Sequence, residues 1–222
     1  MNRFIPYILI VFAVLFGFYF KHYLAGEDVT RPNGADKKEN ESNNNKIIDQ
    51  FDTLLIYPKK KDLREFELWD FNKEPFVKSN FNERWSLIFI GFTNCPDVCP
   101  NTLNDLTHLY QGLNENLKKQ FQFVFFSVDP ERDTPQRMKS YLDNFHDDFI
   151  GISGQKNQID SVVHQLGGLY NLNKAEGEYY SVDHSGRIFI VDQQGRRFGL
   201  IKSGVLQSKD KSVLIKELES LL

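Results

Sequence analysis

From Phe66 onward the apolar residues fall into two kinds of pattern, and the two kinds take turns. Phe66-Glu67-Leu68-Trp69-Asp70 alternates apolar and polar, Asn72-Lys73-Glu74 supplies a turn, and Pro75-Phe76-Val77 returns, which predicts a β-hairpin. Trp85 to Phe92 and Phe121 to Val128 are nearly unbroken apolar runs, the mark of strands buried on both faces. Between them Leu103, Leu106, Tyr110, Leu113 and Leu117 recur at helical spacing and share one face. Met138, Tyr141, Leu142 and Phe145 predict a second helix, and Ile159, Val162, Val163 and Leu166 a third. Short strands are predicted near Tyr179 to Val182, at Ile188 to Val191 and near Phe198 to Ile201, with a turn at Gln193-Gln194-Gly195. Leu214, Leu218 and Leu221 close the chain as a helix, while Phe51 to Pro58 is a weakly specified lead-in. Strands alternating with helices, then a hairpin and a last helix, describe an α/β sandwich.

The first residues follow neither pattern. Residues 4–20 carry no charge, with Arg3 before them and Lys21-His22 after. A run of about 17 apolar residues reaches the short end of the transmembrane range. The apolar core of a cleaved signal peptide is the alternative. However, small residues near a cleavage point occur only at Leu24-Ala25-Gly26, and Glu27 stands where a lipoprotein would need cysteine. The expectation is a single uncleaved transmembrane helix over 4–20, its short N-terminal tail inside and everything after Lys21 outside. Residues 26–46 are almost wholly polar and cannot bury enough surface to offset chain entropy, so they are expected to form a disordered tether. Its reach is on the order of 25 Å. The folded domain is expected over 47–222.

Composition narrows the function by exclusion. A net charge of −3 gives no electrostatic case for nucleic acid. Two cysteines in 222 residues rule out a disulfide scaffold and a four-cysteine zinc site. Both cysteines lie in Gly91-Phe92-Thr93-Asn94-Cys95-Pro96-Asp97-Val98-Cys99-Pro100, between an apolar strand and an amphipathic helix. That junction is where thioredoxin-like folds place their chemistry. Pro96 and Pro100 lack an N–H and make the segment a turn, not a buried element. A disulfide between Cys95 and Cys99 is sterically accessible, with α-carbons about 6 Å apart on a helical turn. It would close too short a loop to serve as a staple. A helix N-terminus lowers a thiol pKa and favours thiolate, which is both nucleophile and soft-metal ligand. Spacing alone leaves redox and metal chemistry both open. Of the five histidines, His184 stands apart because Val182-Asp183-His184-Ser185-Gly186 reads as a loop between strands. In a thioredoxin-like fold that loop returns beside the cysteine turn.

The stretch from Gly91 to Pro100 closely resembles the signature of the Sco/SenC family of copper proteins, required for cytochrome c oxidase assembly. Three further stretches agree in order and spacing: Phe66 to Phe76, Ser127-Val128-Asp129-Pro130-Glu131-Arg132-Asp133-Thr134-Pro135, and Val182-Asp183-His184-Ser185 before the Ile188 strand. The resemblance covers Phe66 to Leu222. It implies a thioredoxin-like fold with an N-terminal β-hairpin extension, preceded by the membrane helix. It also implies one copper ion bound by Cys95, Cys99 and His184. Two thiolates and an imidazole suit soft, low-coordinate Cu(I), and Cu(II) would call for a further oxygen ligand. Asp129 and Asp133 have two readings: a strand end with Asp133 or Thr134 capping the next helix ahead of Pro135, or groups near the metal that tune its sulfurs. Asp97 is a turn-maker or a recognition charge, not a ligand.

The resemblance points to a metallochaperone that delivers copper to the copper-binding subunit of cytochrome c oxidase. The protein would be held in a bacterial inner membrane with its C-terminal domain in the periplasm, and would be supplied by a periplasmic copper donor. The rival reading is an enzyme: a thiol-disulfide reductase in which Cys95 and Cys99 are catalytic and keep the oxidase copper-site cysteines, or other exported proteins, reduced. Thiol-disulfide proteins would then be its partners. The C-x-x-x-C spacing and the absence of a proline after His184 separate the chain from general thioredoxins. A peroxiredoxin is excluded, because Phe92 and Ile88 stand where that family needs Thr or Ser and Pro.

Overall fold

The computed structural model describes residues 51–173, 181–184 and 186–222. The strands are β1 (Leu54–Asp62), β2 (Glu67–Asp70), β3 (Pro75–Val77), β4 (Trp85–Gly91), β5 (Phe121–Ser127), β6 (Phe149–Gly154), β7 (Tyr170–Asn173), β8 (Ser181–His184), β9 (Ile188–Val191) and β10 (Arg196–Ile201). The helices are α1 (Val98–Gly112), α2 (Glu115–Gln120), α3 (Pro135–Leu142), α4 (Lys156–Leu166) and α5 (Ser212–Glu219). Eight strands form one sheet in the order β1-β10-β9-β4-β5-β6-β2-β3, and β7 and β8 form a separate two-stranded ribbon.

The two apolar runs become the centre of the sheet, as their patterning requires. β4 and β5 pair in parallel, from Trp85 opposite Phe121 to Gly91 opposite Ser127, and every residue of both is buried. The polar residues within these strands satisfy each other: Gln122 Nε2 donates to Ser86 Oγ at 2.7 Å. β5 pairs in parallel with β6 through the α3 crossover, while β9 runs antiparallel to β4. The predicted hairpin is β2–β3, and it extends the sheet by pairing β2 with β6.

Three expectations are corrected, and one strand, β6, is added. The single amphipathic helix from Leu103 to Leu117 is two helices, broken where Leu113 and Asn114 take extended backbone. Asn114 starts the second by accepting the Leu117 N–H at 2.9 Å, a cap that offsets the break by about 1 kcal/mol. The weak lead-in is a full edge strand, β1, paired with β10. β6 was hidden by Gly151 and Gly154, which read as strand breakers. Here they make room, since a Cβ on Gly151 would stand 2.9 Å from Leu142 Cδ1 and one on Gly154 2.5 Å from Leu68 Cδ2. Finally, Val182, Asp183 and His184 belong to strand β8 and not to a loop, because β7, unmarked in the sequence, pairs with them.

Among the described residues no helix is long and apolar enough to cross a membrane. The expected anchor at 4–20 and tether at 26–46 lie outside the described residues, as do Tyr179 and Tyr180 of the expected strand.

Candidate functional site

The C-terminal ends of parallel strands are where an α/β sheet leaves room for a ligand, and both candidate motifs lie there. The cysteine turn follows β4, and the Asp129–Asp133 turn follows β5. The two are tied together directly: Val128 N–H donates to Gly91 O at 3.0 Å.

Cys95 is half-buried and Cys99 is fully buried, and no disulfide joins them. The backbone turns at Cys95, whose N–H reaches Phe92 O at 3.3 Å, and α1 begins three residues later. The helix cap is unusual. Asp97 occupies the N-cap position without capping, and its carboxylate accepts instead from the Asn101 side chain at 2.6 Å. Cys95 Sγ accepts the Cys99 N–H at 3.3 Å. The x-x-x spacing therefore places the first sulfur where a cap oxygen normally sits, one helical turn from the second sulfur.

Burial pushes the Cys99 thiol well up, only partly opposed by a hydrogen bond from the Phe92 backbone, while the neighbouring Cys95 and Asp133 raise it further. The expected lowering by the helix N-terminus does not prevail at Cys99. Desolvation of a buried sulfur outweighs the partial charge of a helix end. Cys99 is a proton-bearing thiol at neutral pH, so any soft cation that binds it must displace that proton.

The Asp-rich motif has both of its readings at once, on different residues. Thr134 caps α3 by accepting the Arg137 N–H at 3.2 Å, with Pro135 in the first turn. Asp133 is freed from capping and lies fully buried against the cysteine turn. It accepts the Thr93 N–H at 2.9 Å, the Thr93 hydroxyl at 2.5 Å and the Ser127 hydroxyl at 2.6 Å. Burial raises its pKa against these three hydrogen bonds, and the Asp129 charge adds to the rise. Asp129 is also buried and is paired with the Arg132 guanidinium, which lies 5.7 Å over the Phe92 ring. Asp97 stands outside this cluster, exposed at the helix start.

His184 is the last residue of β8 and the register partner of Tyr170. Its side chain lies outside the described residues. The backbone beyond it does reach the cysteine helix: a Cβ on Gly186 would stand 3.7 Å from Val98 Cγ1, between the two cysteines in sequence. Cys95 and Cys99 thus flank the start of α1, and the chain two residues beyond His184 passes beside its first residue. Two soft sulfurs one helical turn apart are donors of the kind that suit Cu(I).

A family model for SCO1/SenC proteins matches residues 57–222. The chain belongs to the SCO1/SenC family. This Sco protein is 37% identical over 160 residues to a Stutzerimonas stutzeri protein named for copper binding, across 72% of this chain and 78% of that one. It is similar to the copper-bound structure of Bradyrhizobium japonicum ScoI, with 29% identity and a TM-score of 0.65 over 73% of this chain and 100% of that one. It is similar also to the solution structure of apo Sco1 from Thermus thermophilus, with 32% identity and a TM-score of 0.66 over 75% and 95% of the two chains. The α/β thioredoxin-like reading of the sequence holds.

Three residues at this Sco site were missed in the sequence. Thr93 is the link between Asp133 and the cysteine turn. Arg137, reaching across from α3, donates through Nε to Thr93 Oγ1 at 2.8 Å and through Nη2 to Asn94 Oδ1 at 2.6 Å. Tyr141, counted only as a core position of its helix, bears a hydroxyl whose ionisation is pushed up by burial first and then by the charges of Cys99, Cys95 and Asp133. Nothing in local periodicity distinguishes these from ordinary helix and turn residues. Only the packing of α3 beside the turn brings them in.

Proposed function

We propose that this protein carries copper: it holds one Cu(I) ion between the sulfurs of Cys95 and Cys99 and the imidazole of His184, and passes it to the copper-binding subunit of cytochrome c oxidase. Membership of a family involved in copper handling and oxidase assembly supports this reading. The observation that carries it is the convergence of a free thiol pair on the first turn of α1 with the strand end just after His184. Cargo of this kind must be released as well as bound. A three-coordinate site at the edge of the fold lets an incoming thiolate bond before all the old bonds break. Cys95, the less buried sulfur, is the one an incoming ligand reaches first. The protein works from a bacterial inner membrane, anchored by residues 4–20, with its domain in the periplasm.

The experiment is an anaerobic titration of the reduced protein with Cu(I) against a competing chelator. One tightly held ion, lost when Cys95 or Cys99 is replaced by serine, is the expected result. Weak binding, or binding indifferent to both replacements, overturns it.

One observation favours a second reading, thiol-disulfide reduction. The half-buried Cys95 and fully buried Cys99 have the asymmetry of an attacking and a resolving sulfur. Cys95 thiolate would attack a substrate disulfide and displace one substrate thiolate. Cys99 would then give up its proton and attack the mixed disulfide, releasing the second substrate thiolate and leaving a Cys95–Cys99 disulfide for a thiol partner to reduce. Fast metal-free turnover of a disulfide substrate would favour this reading over carriage.

A further inference from the structure

Among the described residues the β7–β8 ribbon forms its own two-stranded sheet, so no ladder of the main sheet fixes where it lies. Its register runs from Tyr170 opposite His184 to Asn173 opposite Ser181. Tyr170 and His184 therefore share the base of the ribbon, where β7 begins and β8 ends. Directly opposed residues of an antiparallel pair have α-carbons about 5 Å apart. Whatever holds Tyr170 in place holds the His184 backbone with it.

Tyr170 is held by α4. Its hydroxyl donates to Asp160 Oδ1. Lys156, one helical turn before Asp160, donates through Nζ to the two carboxylate oxygens at 2.9 and 2.8 Å, and stands 5.5 Å over the Tyr170 ring. Just before the tyrosine, the Gly168 N–H donates to Val163 O at 2.9 Å, and a Cβ on Gly168 would stand 2.8 Å from Ile90 Cδ1. The chain thus enters β7 from a seat on α4 and β4, and the phenol adds a second attachment two residues on. Lys156 and Asp160 are exposed and the Tyr170 ring is half-buried. Such a surface cluster contributes little to folding stability. Its consequence is positional.

We propose that Tyr170 is a positioning residue, whose hydrogen bond to Asp160 pins the base of the ribbon to α4 and so sets the approach of His184 to the cysteine turn. A ligand held in place before the ion arrives loses less freedom on binding, and affinity is higher for it. This rests on the reading of His184 as the third copper ligand. It is separate from the Asp133–Thr93 contact, which acts on the turn that bears Cys95.

The test is a double-mutant cycle in the full chain. Cu(I) affinity is read by chelator competition, beside the thermal midpoint of the reduced, metal-free protein. Tyr170→Phe keeps the ring and removes only the hydroxyl. It is expected to lower Cu(I) affinity about fivefold, within the reach of one hydrogen bond, and to leave the midpoint within a few degrees. Asp160→Ala is expected to do the same. In a His184→Ala background neither substitution should lower affinity further, because the residue they position is gone. A merely structural role would not produce that loss of additivity. Wild-type affinity in Tyr170→Phe, with His184→Ala impaired, overturns the inference and leaves copper carriage intact. A fall that persists in the His184→Ala background also overturns it, since the tyrosine would then act on the fold and not through the histidine. If His184→Ala itself binds Cu(I) as the wild type does, the three-ligand reading falls and this inference with it.

Discussion

Thr93 gives both its backbone N–H and its hydroxyl to the buried carboxylate of Asp133, across 40 positions of sequence. The two residues join the ends of neighbouring parallel strands, and Cys95 sits two positions beyond Thr93. The geometry of the first sulfur is therefore set from the loop after β5, not by the cysteine turn alone.

Asp133→Asn tests that coupling. The amide supplies one acceptor oxygen in place of two, and turns an N–H pair toward the Thr93 or Ser127 donors. Loss of a charge-assisted buried acceptor is expected to lower unfolding stability by about 2–3 kcal/mol, read by urea denaturation. It is also expected to increase the alkylation rate of Cys95 as the turn loosens. An unchanged denaturation midpoint would show that the carboxylate is not holding the turn.

Gly91→Ala tests the contact between the sheet and the second sulfur. The new methyl would lie 2.8 Å from the Phe125 ring and 3.0 Å from Cys99 Sγ, both in the interior. Overpacking of this kind costs about 1–3 kcal/mol, and the displaced sulfur should bind Cu(I) more weakly. Wild-type stability and affinity in this variant would mean that the strand end yields without strain.

Stability should fall in alkali through Cys99. Its folded pKa is raised above the unfolded value of 9.0, so between pH 9 and 10 the unfolded chain releases a proton that the folded chain keeps. The folded state then binds more protons than the unfolded state, and unfolding free energy declines as pH rises, by up to about 1.4 kcal/mol per unit. Cys99→Ala should lessen this slope, most clearly near pH 9. Tyr110, Tyr141 and Tyr170 have raised pKa values too and start from 10.0, so they add to the slope as pH nears 10 and dominate it above. A flat profile from pH 9 to 10 in the reduced wild-type protein would contradict the burial of the thiol.

His184→Ala should weaken Cu(I) binding by at least tenfold while leaving the thermal midpoint within a few degrees, since the proposed site would lose one of three ligands from the end of a ribbon strand. Chelator competition alongside a thermal melt measures both. Unchanged affinity at unchanged stability would remove histidine from the site.

Much of this was legible in the sequence because the signals were local. The runs at Trp85 and Phe121 are apolar on both faces, and only central strands of a covered sheet have use for that. Cysteines four apart before an amphipathic helix could hardly lie elsewhere than at its first turn. Pro135 after Thr134 marked the start of α3 correctly. The glycine-bearing strand β6 was not legible, because Gly151 and Gly154 are dictated by Leu142 and Leu68 pressing from other elements. Of the β7–β8 ribbon only the start of β8, at Ser181 and Val182, was legible, since β7 and the end of β8 have no pattern until each is beside the other.

The sequence by itself determined the central strands β4 and β5, the β2–β3 hairpin, the cysteine turn and the family motifs, since each depends on residues within a few positions of one another. The tertiary structure alone decided which groups surround those cysteines. Asp133 and Thr93 meet because β4 and β5 end side by side. Arg137 reaches the same turn because α3 leads from β5 to β6 beside it. The state of Cys99 was decided there as well. A helix end is visible in sequence and favours thiolate, but the burial that overrides it is a property of everything packed around the sulfur.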